Sequence, residues 1–93
     1  MKDNEHAVVT VTGHDRVGIV AGVAKTLADY HVNIVDISQT ILKDIFAMIL
    51  LVDISAADND LLELTKALEA TGEALGVKIM VQHEDIFRYM HRI

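Results

Sequence analysis

A chain of 93 residues has the size of one domain, and its formal net charge of −6 is the wrong sign for wrapping a phosphate backbone. It has no cysteine, which excludes disulfides and thiolate metal sites, and no apolar run approaches the ~18 residues of a membrane span. Hydrophobic residues are 52% of the chain and aromatics only 4%, so Val, Ile, Leu, Ala and Met must build the core. Such an apolar excess in a small domain predicts a second buried surface, in a homodimer or higher homo-oligomer.

The opening "MKDNEH" is polar and lacks the apolar centre of a signal peptide, so a cytoplasmic location is expected. Ala7 to Thr12, "AVVTVT", is β-branched and alternates weakly, which predicts a first strand. Gly13 to Val17 reads as a loop. From Gly18 the apolar positions are Ile19, Val20, Val23, Ala24, Leu27 and Ala28, one face of a helix ending near Tyr30 to Val32. Asn33 to Leu42 predicts a second strand. Asp36, Ser38 and Thr40 share a face with Ile34 and Leu42, opposite Val35, Ile37 and Ile41.

Lys43 and Asp44 make a short polar break. Ile45 to Ile54 is apolar on both faces for most of its length, as in a central strand. Asp58, Asn59 and Asp60 supply capping side chains for a second helix, whose core stripe is Leu61, Leu64, Leu68, Thr71 and Leu75. Gly76 suits the position just past its end. Val77 to His83 predicts a fourth strand, with Val77, Ile79 and Val81 on one face. Glu84 to Arg92 can form a last short helix with Ile86, Phe87 and Met90 apolar.

The order is β-α-β-β-α-β. Two strands joined by about two residues pair antiparallel, which excludes a purely parallel sheet. The expected fold is α+β and ferredoxin-like: a four-stranded antiparallel sheet, two helices on one face, and a short C-terminal helix. One domain spans residues 1–93, with its core at 7–83 and its tail at 84–93. Strand two is a candidate edge. The sheet face away from the helices needs a cover, from a partner subunit, the C-terminal helix, or both.

The loop "TGHDRVGI" carries the chemistry. A Gly-x4-Gly turn into a helix presents amide N–H groups that attract an anion, and Gly18 lets a ligand approach. The lysine of a phosphate loop is missing. Asp15 would repel phosphate, by about 3 kcal/mol at ~5 Å and an effective dielectric near 20. Beside outward amides it instead suits a zwitterion, the carboxylate on the N–H groups and the ammonium on Asp15. Asp15 can equally cap the helix. Arg16 can hold a carboxylate or lie in solvent, and His14 reads as an exposed loop residue. Asn33 is either a turn residue or a ligand contact offering donor and acceptor.

Thr12-Gly13-x-Asp15-Arg16-x-Gly18-Ile19, followed by a helix and then Asn33-Ile34, resembles the ACT domain. The resemblance spans Ala7 to His83, and the tail "EDIFRYMHRI" is similar to that of small stand-alone ACT proteins. It implies a regulatory module that binds an amino acid at a subunit interface. The effector would contact Gly13, His14, Asp15, Arg16, Val17, Gly18 and Ile19, while Asn33 with Ile34 reaches it from the neighbouring subunit. Val17 stands where the family often has proline. A chain this short has no room for an attached enzyme, so a protein partner in trans is expected, without cofactor, metal, nucleic acid or membrane.

Acylphosphatase-like catalysis would need an arginine cradle and a water-orienting Asn; Arg16 and Asn33 match by type, but the glycine and arginine spacing does not. RNA binding would need aromatics on the open sheet face, where only Phe46 is available in strand three. His83, Glu84, Asp85 and His91 lack the spacing of a metal motif. The nearest alternative to a sensor is an interaction module with no small ligand.

Overall fold

The structure, a computed structural model, describes residues 5–14, 17–57 and 60–91, with Met90 and His91 as backbone only. Asp15, Arg16, Asp58, Asn59 and Arg92, named above, lie outside the described residues. The chain runs β1 (His6–His14), α1 (Ile19–Asp29), β2 (Asn33–Leu42), β3 (Ile45–Asp53), α2 (Leu61–Leu75), β4 (Val77–His83) and α3 (Glu84–His91). The strands form one antiparallel sheet in the order β2-β3-β1-β4, the ferredoxin-like arrangement expected.

Alternation along the two central strands builds the core. Ala7, Val9 and Val11 of β1 and Phe46, Met48, Leu50 and Val52 of β3 are at most 3% exposed. They meet Ile19, Val23 and Leu27 of α1, four residues apart and so on one helix face, and Leu64 and Leu68 of α2. The two helices approach closely. A Cβ on Gly22 would lie 2.8 Å from Leu75 Cδ1, and the Thr26 and Thr71 hydroxyls are 2.6 Å apart. Asp60, last of the three expected capping residues, caps α2 by accepting from the Glu63 amide at 2.9 Å, and Gly76 closes it at φ 76°.

Three details depart from the sequence reading. β1 continues through Gly13 and His14, which pair with Phe46 and Ile45 of β3, so two expected loop residues are strand. β3 stops at Asp53, whose carboxylate accepts the Ser55 amide at 2.8 Å and turns the chain. In β2 the register passes from Ile34↔Val52 to Asp36↔Leu51, leaving Val35 as a bulge. One extra residue reverses the faces that follow. Ile34 therefore joins Ile37 and Ile41 on the helix side, not Asp36, Ser38 and Thr40.

Every residue of β2, at one edge of the sheet, is exposed, whereas β4 at the other edge buries Val77 and Ile79. Gly22 and Thr26 face α2, so at 100° per residue Val20, Ala24 and Ala28 lie on the opposite flank of α1, toward β2. On the far face of the sheet, α3 folds back over Val8, Ile49 and Leu51, with Phe87 and Arg88 beside them. Glu84 ties it to β1 through His6 at 3.4 Å and braces the helix itself through Arg88, four residues on, at 2.7 Å. The C-terminal helix thus supplies part of the cover that the open face needs.

Candidate functional site

Gly18 opens α1 in the left-handed region, at φ 93°. There an L-residue costs roughly 1–2 kcal/mol, which explains the glycine. Among the described residues a Cβ on it would meet nothing within 4 Å. The first intrahelical bond runs from the Gly22 amide to the Gly18 carbonyl at 2.9 Å. The amides of Ile19, Val20 and Ala21 therefore have no partner inside the helix and stand at the positive end of its dipole. Gly18 has no side chain to cap them, and the first turn holds no acidic residue. Ile19 contributes only its amide, since its side chain is core and 2% exposed. Val17 stands out at 99% exposure.

The other glycine of the motif answers to packing. A Cβ on Gly13 would lie 2.9 Å from Val77 Cγ1 and 3.2 Å from Val77 Cα, so β4 passes too close for any side chain. His14 projects at the end of β1, its Nδ1 3.4 Å from Asp44 Oδ2 in the β2–β3 turn, where Lys43 takes φ 58°. Both side chains are mostly solvated, which leaves such a pair worth at most ~1 kcal/mol.

Asn33 and Ile34 are elsewhere. Asn33 pairs with Asp53, which in turn pairs with His6, so it lies at the end of the sheet where β1 begins. His14 is eight residues further along β1, about 27 Å away at ~3.4 Å per residue. Within one chain the expected contacts thus fall into two groups: Gly13, His14, Val17, Gly18 and Ile19 at one end, Asn33 and Ile34 at the other. Asn33 there lines a depression of about 360 Å³ with Ala28, His31, Val32 and Ala56.

The surroundings of the turn into α1 include residues that the sequence reading passed over. Leu42 pairs with Ile45, which pairs with His14, and Ile41 pairs with Phe46, which pairs with Gly13. Leu42, Ile41 and Ile45 are exposed at this end, as is Val20 in the first turn of α1. The two-residue hairpin was a signal that Leu42 meets Ile45. Nothing local showed that β1 would bring His14 alongside.

Two carboxyls are held below their ordinary range, both away from this turn. Hydrogen bonds from Arg88 do so for Glu84, and the backbone amide of Ser55, with its side chain, does so for Asp53. Among the described residues no helix is long and apolar enough to cross a membrane.

Comparison with known proteins bears on this arrangement. The ACT domain family profile matches residues 5–82. A UPF0237 protein of Methanocaldococcus jannaschii is 63% identical over 86 residues, covering 92% of this chain and 96% of its own length. The solved ACT domain protein from Streptococcus pneumoniae is 42% identical and superposes with a TM-score of 0.80, over 91% of this chain and 96% of that one. The regulatory subunit of aspartate kinase from Thermus thermophilus shares the fold at 24% identity, with a TM-score of 0.65 over 86% of this chain and 52% of that chain. With the strand order, the Gly18 turn and the match over nearly the whole length in agreement, the chain belongs to the ACT domain family.

Proposed function

We propose that this protein is a regulatory sensor that binds an amino acid, or a similar small zwitterion, at the turn into α1 and acts on a protein partner in trans. The observation that carries the reading is the open, glycine-capped start of α1. Its free first-turn amides suit a carboxylate, and Asp15, three residues before Gly18 in sequence, suits the ammonium. This is recognition chemistry; nothing in the reading needs a nucleophile or a general base.

The split of the expected contacts supports a site shared between subunits. β2 is an exposed edge with unpaired backbone groups on its outer side, ready to pair with a second β2. Antiparallel pairing about a two-fold axis would set the partner's Asn33 opposite Leu42, at the end where the Gly18 turn lies. The two groups, about 27 Å apart in one chain, would then meet across the interface. A ligand there binds the assembled form better than the separated one, and shifts assembly by that difference alone.

The test is a thermal-shift screen of all common amino acids, followed by calorimetric titration of any that stabilise the protein. A hit should saturate with one site per turn and lose at least tenfold in affinity in Asp15→Ala. Failure of every amino acid would refute the sensor reading. The exposed apolar edge of β2 favours a second reading, an interaction module with no small ligand, and that result would support it.

A further inference from the structure

The sheet face opposite α1 and α2 is only half covered. α3 crosses it over Val8, Ile49 and Leu51. The half nearer the Gly18 turn stays bare: Leu42 is 70% exposed, Ile45 52% and Met80 49%, and Ile49, on the boundary beside α3, keeps 47%. In register these residues run from the Leu42–Ile45 pair to the row of Ile49 and Met80, joined through Thr10. That is four residues along the strands, roughly 14 Å, wide enough for one α-helix of ~10 Å diameter.

The missing cover has a match on the same molecule. α3 buries Phe87 toward the sheet but carries Ile86 at 55% and Tyr89 at 75% exposure. A closed two-fold interface requires one surface to supply both complementary parts. This face does so, with a bare apolar strip beside an amphipathic helix that exposes Ile86 and Tyr89. Charge agrees: the strip carries Lys78 and no carboxylate, while α3 presents Asp85 with a side chain 87% exposed. At about 100 Å² apiece, the six apolar side chains amount to on the order of 600 Å² per protomer, close to the ~800 Å² that each partner gives a standard interface. The threonines and serine between them supply more.

We propose that the occupant of the bare half is α3 of a second copy, laid down reciprocally about a two-fold axis, so that each sheet is covered by its own α3 and its partner's. This interface uses the sheet face, Leu42 of β2 included, and leaves the outer backbone edge of β2 free; it does not depend on the ligand reading. If β2 pairs edge to edge as well, two independent two-folds give a tetramer, a dimer of dimers.

The absence of cysteine makes a direct test clean. Chains carrying Met80→Cys and chains carrying Tyr89→Cys are mixed and treated with a short bis-maleimide linker. The mixed cross-linked dimer should form at least tenfold above a Met80→Cys and Glu69→Cys control on α2. A yield equal to that control would overturn the proposal. In parallel, Met80→Asp should halve the mass seen by light scattering while far-ultraviolet dichroism is unchanged. An unchanged mass, or a monomeric unsubstituted protein, would overturn it too. Ile37→Lys on the β2 edge should leave the Met80–Tyr89 cross-link intact, which separates failure here from failure of edge pairing.

Discussion

Replacing Gly18 by alanine separates a backbone cost from a steric one. The residue sits at φ 93°, and among the described residues the added Cβ would meet nothing within 4 Å, so no clash with them enters. What remains is the left-handed conformation, about 1–2 kcal/mol for an L-residue. Alanine also restricts the unfolded chain, which offsets part of this by ~0.4–1 kcal/mol. The net expected loss is about 1 kcal/mol, or roughly 4–8 °C in Tm for a domain of this size. Gly18→Asn should cost less, because asparagine visits this region more readily. Gly13→Ala should lose stability for the other reason, since its Cβ would press on Val77 at 2.9 Å. Differential scanning calorimetry of the three variants at one protein concentration makes the comparison, because assembly makes Tm concentration-dependent. If Gly18→Ala melts at or above the parent, or if asparagine is worse than alanine, the conformational account of this turn is wrong.

Removal of the α2 cap in Asp60→Ala breaks the 2.9 Å bond to the Glu63 amide and should cost about 1 kcal/mol, read as a lower urea midpoint at unchanged slope; Asp60→Ser should recover most of it. Acid should loosen α3. Glu84 and Asp53 are both depressed in the folded state from ordinary values of 4.5 and 3.8, so their stabilisation is complete above those values and is lost as pH falls through and below them. Amide exchange in α3 should therefore rise below about pH 4.5, and Glu84→Gln should flatten that dependence. Equal pH dependence in the variant would show that another group controls the helix.

Much of this fold was legible because the cues are local. The 3.6-residue stripe of Ile19, Val23 and Leu27, the cap at Asp60, the left-handed glycine at Gly76 and the two-residue break at Lys43-Asp44 each depend on near neighbours in the chain. All four strands and both long helices follow from such cues, and β2, α2 and β4 have the expected limits. The site was half legible in the same way. Gly18 announced the start of a helix, and it opens α1 at a left-handed φ of 93°.

What tertiary structure decided depends on pairing between distant segments. Gly13 read as a loop residue, yet β1 continues through it because β3 and β4 flank it, and Val77 leaves no room for a side chain. Ile34 looked as if it shared a face with Asp36, until the bulge at Val35 reversed the alternation. The separation of Asn33 from the Gly18 turn, and the half-covered face beside α3, likewise come from the order β2-β3-β1-β4. The physical reason is common to all of them: backbone propensity and capping act over a few residues, whereas register and burial are set by strands that meet only after the chain has closed on itself.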